Sequence, residues 1–167
     1  MRTSRRGICG GLLLTVTVAC SSMTAPEAGL ADAERRWASQ DIQDYSWVVS
    51  RACECLPQMS GPTRVVVRAG AVESRWFIPG DEPLAEPYTG LFRDVDGMFE
   101  LIRDELARGT PIVDVTYDRV YGYPVRVAVG SPLPDGEVVY IMSSFAVEVE
   151  SVRSISKDQP SDLGPRE

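Results

Sequence analysis

Asp94-Val-Asp-Gly-Met-Phe-Glu-Leu-Ile-Arg-Asp-Glu-Leu-Ala-Arg-Gly109 runs through Thr110-Pro111 into Ile112-Val-Asp-Val-Thr-Tyr117, and at that join the hydrophobic period drops from about 3.6 to 2. Val95, Met98, Phe99, Ile102 and Leu106 fall on one face of a helix. Asp94 stands where a cap accepts from the first turn, and Gly109 ahead of Pro111 stops the helix. Val113, Val115 and Tyr117 then alternate with Asp114, Thr116 and Asp118, as in a strand with one polar side. Elements with a single apolar side predict helices laid on one face of an antiparallel sheet.

Outward from this stretch the same patterns recur. A first helix is expected over residues 31–44, with Ala33, Trp37, Ala38 and Ile42 as its stripe. Tyr45, Trp47 and Val49 alternate with Ser46, Val48 and Ser50, and Val65 and Val67 with Arg64 and Arg68. Trp76 and Ile78 suggest a third strand, Val125, Val127 and Val129 a fifth. The run from Val138 to Glu150 is expected to turn Ile141, Phe145, Val147 and Val149 inward. The fold class is therefore α+β: an antiparallel sheet of about six strands with two helices packed on one face. Pro62-Thr-Arg64-Val65-Val-Val67 is matched about 62 residues later by Pro124-Val-Arg126-Val127-Ala-Val129, which allows a tandem αβββ repeat in which each helix covers its own three strands. Residues 79–93, with prolines at 79, 83 and 87, read as a long crossover loop.

The N-terminus reads as an address. Arg2, Arg5 and Arg6 precede a short apolar run that ends Leu14-Thr-Val-Thr-Val-Ala-Cys20, a secretory signal too short to span a bilayer. Its end resembles a lipobox, and by that resemblance residues 1–19 are removed and Cys20 is acylated. The alternative is an ordinary signal with a cysteine near its cleavage site. Residues 20–30 read as a tether, 31–153 as one domain and 154–167 as a disordered tail. Loss of the signal leaves 14 basic against 24 acidic side chains, a formal charge of −10. Nucleic acid is an unsuitable partner for such a chain, and so is a polybasic grip on anionic lipid. The expected partners are a membrane, through the lipid, and an envelope protein.

There is no histidine, so His-activated nucleophiles and His-ligated zinc are excluded. No nucleophile-elbow or phosphate-loop motif is present. A carboxylate hydrolase remains a distant alternative, with no pair of acids singled out, and no cofactor is expected. Asp94-x-Asp96-Gly97 with Glu105 has the outline of a calcium loop, but Met98 and Phe99 occupy the positions that need a ligand and glycine. Cys53-x-Cys55 holds the two thiols left in an oxidising compartment. On a flat strand their Cα atoms lie roughly 6.6 Å apart, near the upper end of disulfide geometry, so a bridge needs a bend. A local disulfide, a reactive redox pair and a soft-metal site stand as readings. Tyr121 and Tyr123 at a hairpin tip offer a recognition surface or fold back over the sheet. Arg64, Arg68 and Arg126 are expected on the polar sheet face, opposite acids such as Asp114.

Tyr45, Cys53-x-Cys55, Pro62 through Gly70, Val95-Asp-Gly-Met-Phe99 and Val115-Thr-Tyr-Asp-x-x-Tyr121-Gly-Tyr-Pro124 occur in this order. Together they make the chain resemble a family of bacterial secreted proteins and lipoproteins that carries a domain of unknown function. The resemblance implies an exported protein whose domain covers about residues 31–150, and it implies no activity. The expectation is a non-enzymatic, lipid-anchored binding or structural module of the cell envelope, with redox or metal handling through Cys53 and Cys55 as the alternative.

Overall fold

The computed structural model describes residues 24–148. The segment expected to be a signal, Cys20 with its expected lipid, and the expected tail from 154 lie outside them. In chain order the elements are α1 (Ala25–Ala38), β1 (Tyr45–Ala52), α2 (Pro57–Ser60), β2 (Thr63–Arg68), β3 (Ala71–Phe77), β4 (Glu82–Pro83), a 3-10 helix (Glu86–Leu91), α3 (Val95–Arg108), β5 (Ile112–Tyr117), β6 (Pro124–Gly130) and β7 (Glu137–Val147). The strands form one sheet in the order β4-β3-β2-β1-β7-β6-β5, every pair antiparallel. The α+β class and the single antiparallel sheet stand as expected. The sheet has seven strands rather than six, because the crossover supplies β4.

The first helix starts six residues earlier than its apolar stripe indicates, so 25–30 are helix and not tether. Glu27 reaches back to accept the Thr24 N–H at 2.6 Å, and Pro26 sits in the first turn, where a missing N–H costs nothing. Leu30 is buried beside Ala33 and Trp37. The helix also ends earlier, at Ala38. Asp41 takes a positive φ, and Ile42 packs on the core from the turn that follows. In α3 the sequence signals hold: Asp94 Oδ1 accepts from Gly97 N at 2.8 Å, and Gly109 closes the helix in the left-handed conformation.

Two bulges overturn the inward faces expected for β3 and β7. Opposite β2, the register slips between Val66 and Val67, so Glu73 is the extra residue. Phe77 then turns inward, while Trp76 and Ile78 are exposed. In β7, Ser144 has φ 52°, and residues 144 and 145 together face Trp47. Beyond the bulge Phe145 packs on the core as expected, while Val147, on the face of Tyr45, is 40% exposed at the strand end. Before it the parity reverses, so Tyr140 and Met142 are buried and Ile141 is 47% exposed. Val149 lies outside the described residues. One inserted residue moves every later side chain to the other face, and alternation alone cannot reveal it.

The tandem repeat does not survive the topology. Across the sheet the two triplets read β3-β2-β1 and β7-β6-β5, the same left-to-right order, with corresponding strands running in opposite directions. A rotation that keeps the order and reverses direction turns the sheet over, yet α1 and α3 pack on each other on one face. Nor does each helix cover its own strands, since α1 lies on α3 and β5, and α3 on β5 and β6. The β2–β3 half is covered by the crossover instead. Leu84 and Phe92 are buried there, and Arg75 Nε donates to the Phe92 carbonyl at 2.6 Å. Val65, Val67, Val127 and Val129 do share the covered face.

Candidate functional site

With α1, α3 and the crossover on one face, the other face of the sheet is uncovered. Register places Arg64, Val66 and Arg68 of β2 there, beside Ser46, Val48 and Ser50 of β1 and Ser143 and Ala146 of β7. Arg126 and Asp114 follow on β6 and β5. The bulges at Glu73 and Ser144 flank the central strands and curl this face into a shallow trough of about 530 Å³. Ser46, Val48, Arg64, Arg68, Ser74 and Glu148 are among its lining residues. Sequence reading put Arg64, Arg68 and Ser46 on polar strand sides but missed Glu73, Ser74, Ser144 and Glu148, which lie at or beyond the two bulges.

The three arginines are not equivalent. Arg68 pairs with Glu148 across the end of the sheet, and Arg126 donates to Asp114 at 2.7 Å. Among the described residues no carboxylate pairs with Arg64, which is exposed. The face thus presents one unengaged guanidinium in a field of hydroxyls and small aliphatic groups.

The hairpin-tip tyrosines turn inward. Tyr123 stacks on Phe145 with centroids 4.3 Å apart, and Tyr121 lies 5.5 Å from the same ring. Trp37, Tyr45 and Trp47 extend the cluster through edge contacts. Asp118 shapes the tip by accepting the N–H groups of Val120 and Tyr121. Both rings are half-buried, so their contact area is spent within the fold.

Burial displaces several ionisable groups from their ordinary ranges. Burial raises the Tyr45 phenol well above its ordinary range, and its oxygen accepts the Val95 N–H at 3.0 Å. Burial, with a smaller push from the Glu34 carboxylate, moves Tyr117 up to about 12. Tyr123 shifts upward for the same first reason. None of the three supplies a phenolate base. Desolvation raises Asp96, whose carboxylate accepts from Trp37 Nε1 at 3.1 Å and so ties the first turn of α3 to α1, while Asp94 caps α3. Among the described residues no group of three or more His, Cys, Asp or Glu side chains is placed to hold a metal, and no helix is long and apolar enough to cross a membrane.

Cys53 and Cys55 are bridged, with Cα atoms 5.4 Å apart. The bend that the spacing demands is present: β1 ends at Ala52, and Cys55 N donates to the Cys53 carbonyl at 3.0 Å. Arg51 ties down the turn by donating to the Met59 carbonyl at 2.8 Å while lying over the Tyr140 ring. A ring this small removes little unfolded-chain entropy, so its effect is local stiffening. Intact mass with alkylation is expected to show both thiols labelled only after reduction. Labelling without reductant would revive the redox or soft-metal reading.

A domain of this kind is an antiparallel sheet closed on one side, stiffened at a cysteine turn and open on the other side. The chain belongs to a family of unknown function, DUF6174, whose model matches residues 29–147. No curated protein and no solved structure matches it.

Proposed function

We propose that this is a non-enzymatic envelope protein, lipid-anchored through Cys20 on the extracytoplasmic side, that docks a protein partner on the uncovered face of its sheet. The observation that carries the reading is the asymmetry of the sheet. One face is sealed by two helices and the crossover, while the other offers a wide, shallow trough around Arg64. A trough this open suits a protein surface better than a small substrate, which is held by enclosing most of its area. An exposed arginine amid small polar side chains is the residue type that forms directional contacts at interfaces.

Affinity capture of the lipidated protein from its own envelope, with cross-linking, tests the docking face. Arg64→Glu is expected to abolish recovery of the partner while leaving the unfolding midpoint unchanged. Undiminished recovery sinks the reading. The anchor is tested apart from it: Cys20→Ala is expected to end lipid labelling and move the protein to the soluble fraction. A hydrolase would instead reveal itself by turnover that depends on a carboxylate.

A further inference from the structure

Strand register divides the molecule into two ends. Tyr45 opens β1 opposite Val67 and Val147, so the starts of β1 and β6 and the last residues of β2 and β7 lie at one end. Ala52, Thr63, Phe77, Gly130 and Ile112 mark the other. The helix α1 finishes at the first end, where Trp37 meets Tyr45 and Phe145. It runs antiparallel to α3, since Trp37 meets Asp96 while Glu34 pairs with Arg103. Its N-terminus therefore lies toward the second end, where Pro26 and Gly29 border an apolar groove of about 240 Å³ with Leu106 and Val113.

Only four steps of chain separate Cys20 from Thr24, the residue that caps α1. Fully extended they reach about 14 Å. A lipid on Cys20 would leave no long tether, and the second end would be held against the bilayer surface. That end carries exposed leucines on its turns: Leu56 after the cysteine bridge, 60% exposed, and Leu133 between β6 and β7, 70% exposed. The neighbouring charges Glu54, Asp135 and Glu137 are acidic, so attraction to anionic headgroups cannot supply the contact.

We propose that this end rests on the membrane, with Leu133 and Leu56 in the headgroup region of a zwitterionic lipid surface and the hairpin tip at Val120 pointing away. Scattered exposed leucines are ordinary on a free surface; here the short link to Cys20 decides what lies against them. The inference rests on the anchored reading above. It stands the uncovered sheet face upright from the bilayer, open to a partner in the same membrane.

The test uses the chain from Cys20 onward, oxidised so that Cys20 is its free thiol. It is coupled to a maleimide lipid in phosphatidylcholine vesicles with brominated acyl chains, which quench nearby indoles. Emission of Leu133→Trp, Leu56→Trp and Val120→Trp is read as the difference from the parent protein. The added emission of Leu133→Trp and Leu56→Trp is expected to be lost, and that of Val120→Trp to be kept. Equal quenching of Val120→Trp, or none at the two leucine positions, overturns the proposal. The coupling supplies a lipid whatever the cell does. Failure of this geometry is therefore distinct from failure of acylation, which the Cys20→Ala labelling reports.

Discussion

Trp47→Ala is expected to cost about 3–5 kcal/mol of unfolding free energy, a large share of the roughly 5–15 kcal/mol that holds a domain of this size together. Trp47 is fully buried at the centre of the sheet, directly across from Val65, with Tyr45 and Tyr123 edge-on at 6.4 and 6.2 Å. Truncation leaves a cavity walled by β-strands on one side and rings on the other, neither able to collapse into it. The indole N–H, however, has no hydrogen-bond partner among the described residues, and an unpaired buried donor itself costs about 1–3 kcal/mol. Trp47→Phe removes that donor while keeping most of the ring, so its loss is expected to stay under about 1.5 kcal/mol. Urea unfolding with unchanged m-values checks both. A Phe variant as damaged as the Ala variant would show that the N–H is bonded in solution, and an Ala variant losing under 1 kcal/mol would refute the packing account.

Gly122→Ala is expected to cost about 2–5 kcal/mol although it adds a single methyl group. Gly122 has φ 88°, a conformation that strains an L-residue by about 1–2 kcal/mol. The added Cβ would also meet the Ala33 carbonyl oxygen at 2.5 Å and Arg36 Cβ at 2.8 Å. The first of these is helix backbone and cannot swing aside. The hairpin tip must then lift from α1, which adds an overpacking cost of about 1–3 kcal/mol. Faster hydrogen exchange in α1, with α3 little changed, is the expected signature. Uniform exchange across both helices would mean that the tip does not clamp α1.

The neighbourhood of Gly122 also shows how far the sequence reaches. Pro124 and the alternating valines of β6 were legible as a strand, and Tyr117 to Pro124 as a hairpin. The packing of Tyr121 and Tyr123 was not, because the ring they meet, Phe145, lies on β7, distant in the chain and brought beside β6 only by the tertiary fold. The start of α1 was obscured for a local reason: Pro26 and Gly29 read as linker, although a first-turn proline fits a helix and Leu30 anchors it through tertiary burial. The crossover showed three prolines, and its buried Leu84 and Phe92 gave no periodic signal.

By itself the sequence determined what depends on neighbours along the chain: the cap and stop of α3, the alternation of β1, β2 and β5, the bend demanded by Cys53-x-Cys55, and the absence of histidine chemistry. Tertiary structure alone decided the strand order that excludes the repeat, the faces of β3 and β7, the pairing of two of the three arginines, and the end of the sheet that lies nearest the start of α1. These depend on residues far apart in sequence meeting in space. A single bulge, invisible to local propensity, is enough to redirect every side chain beyond it.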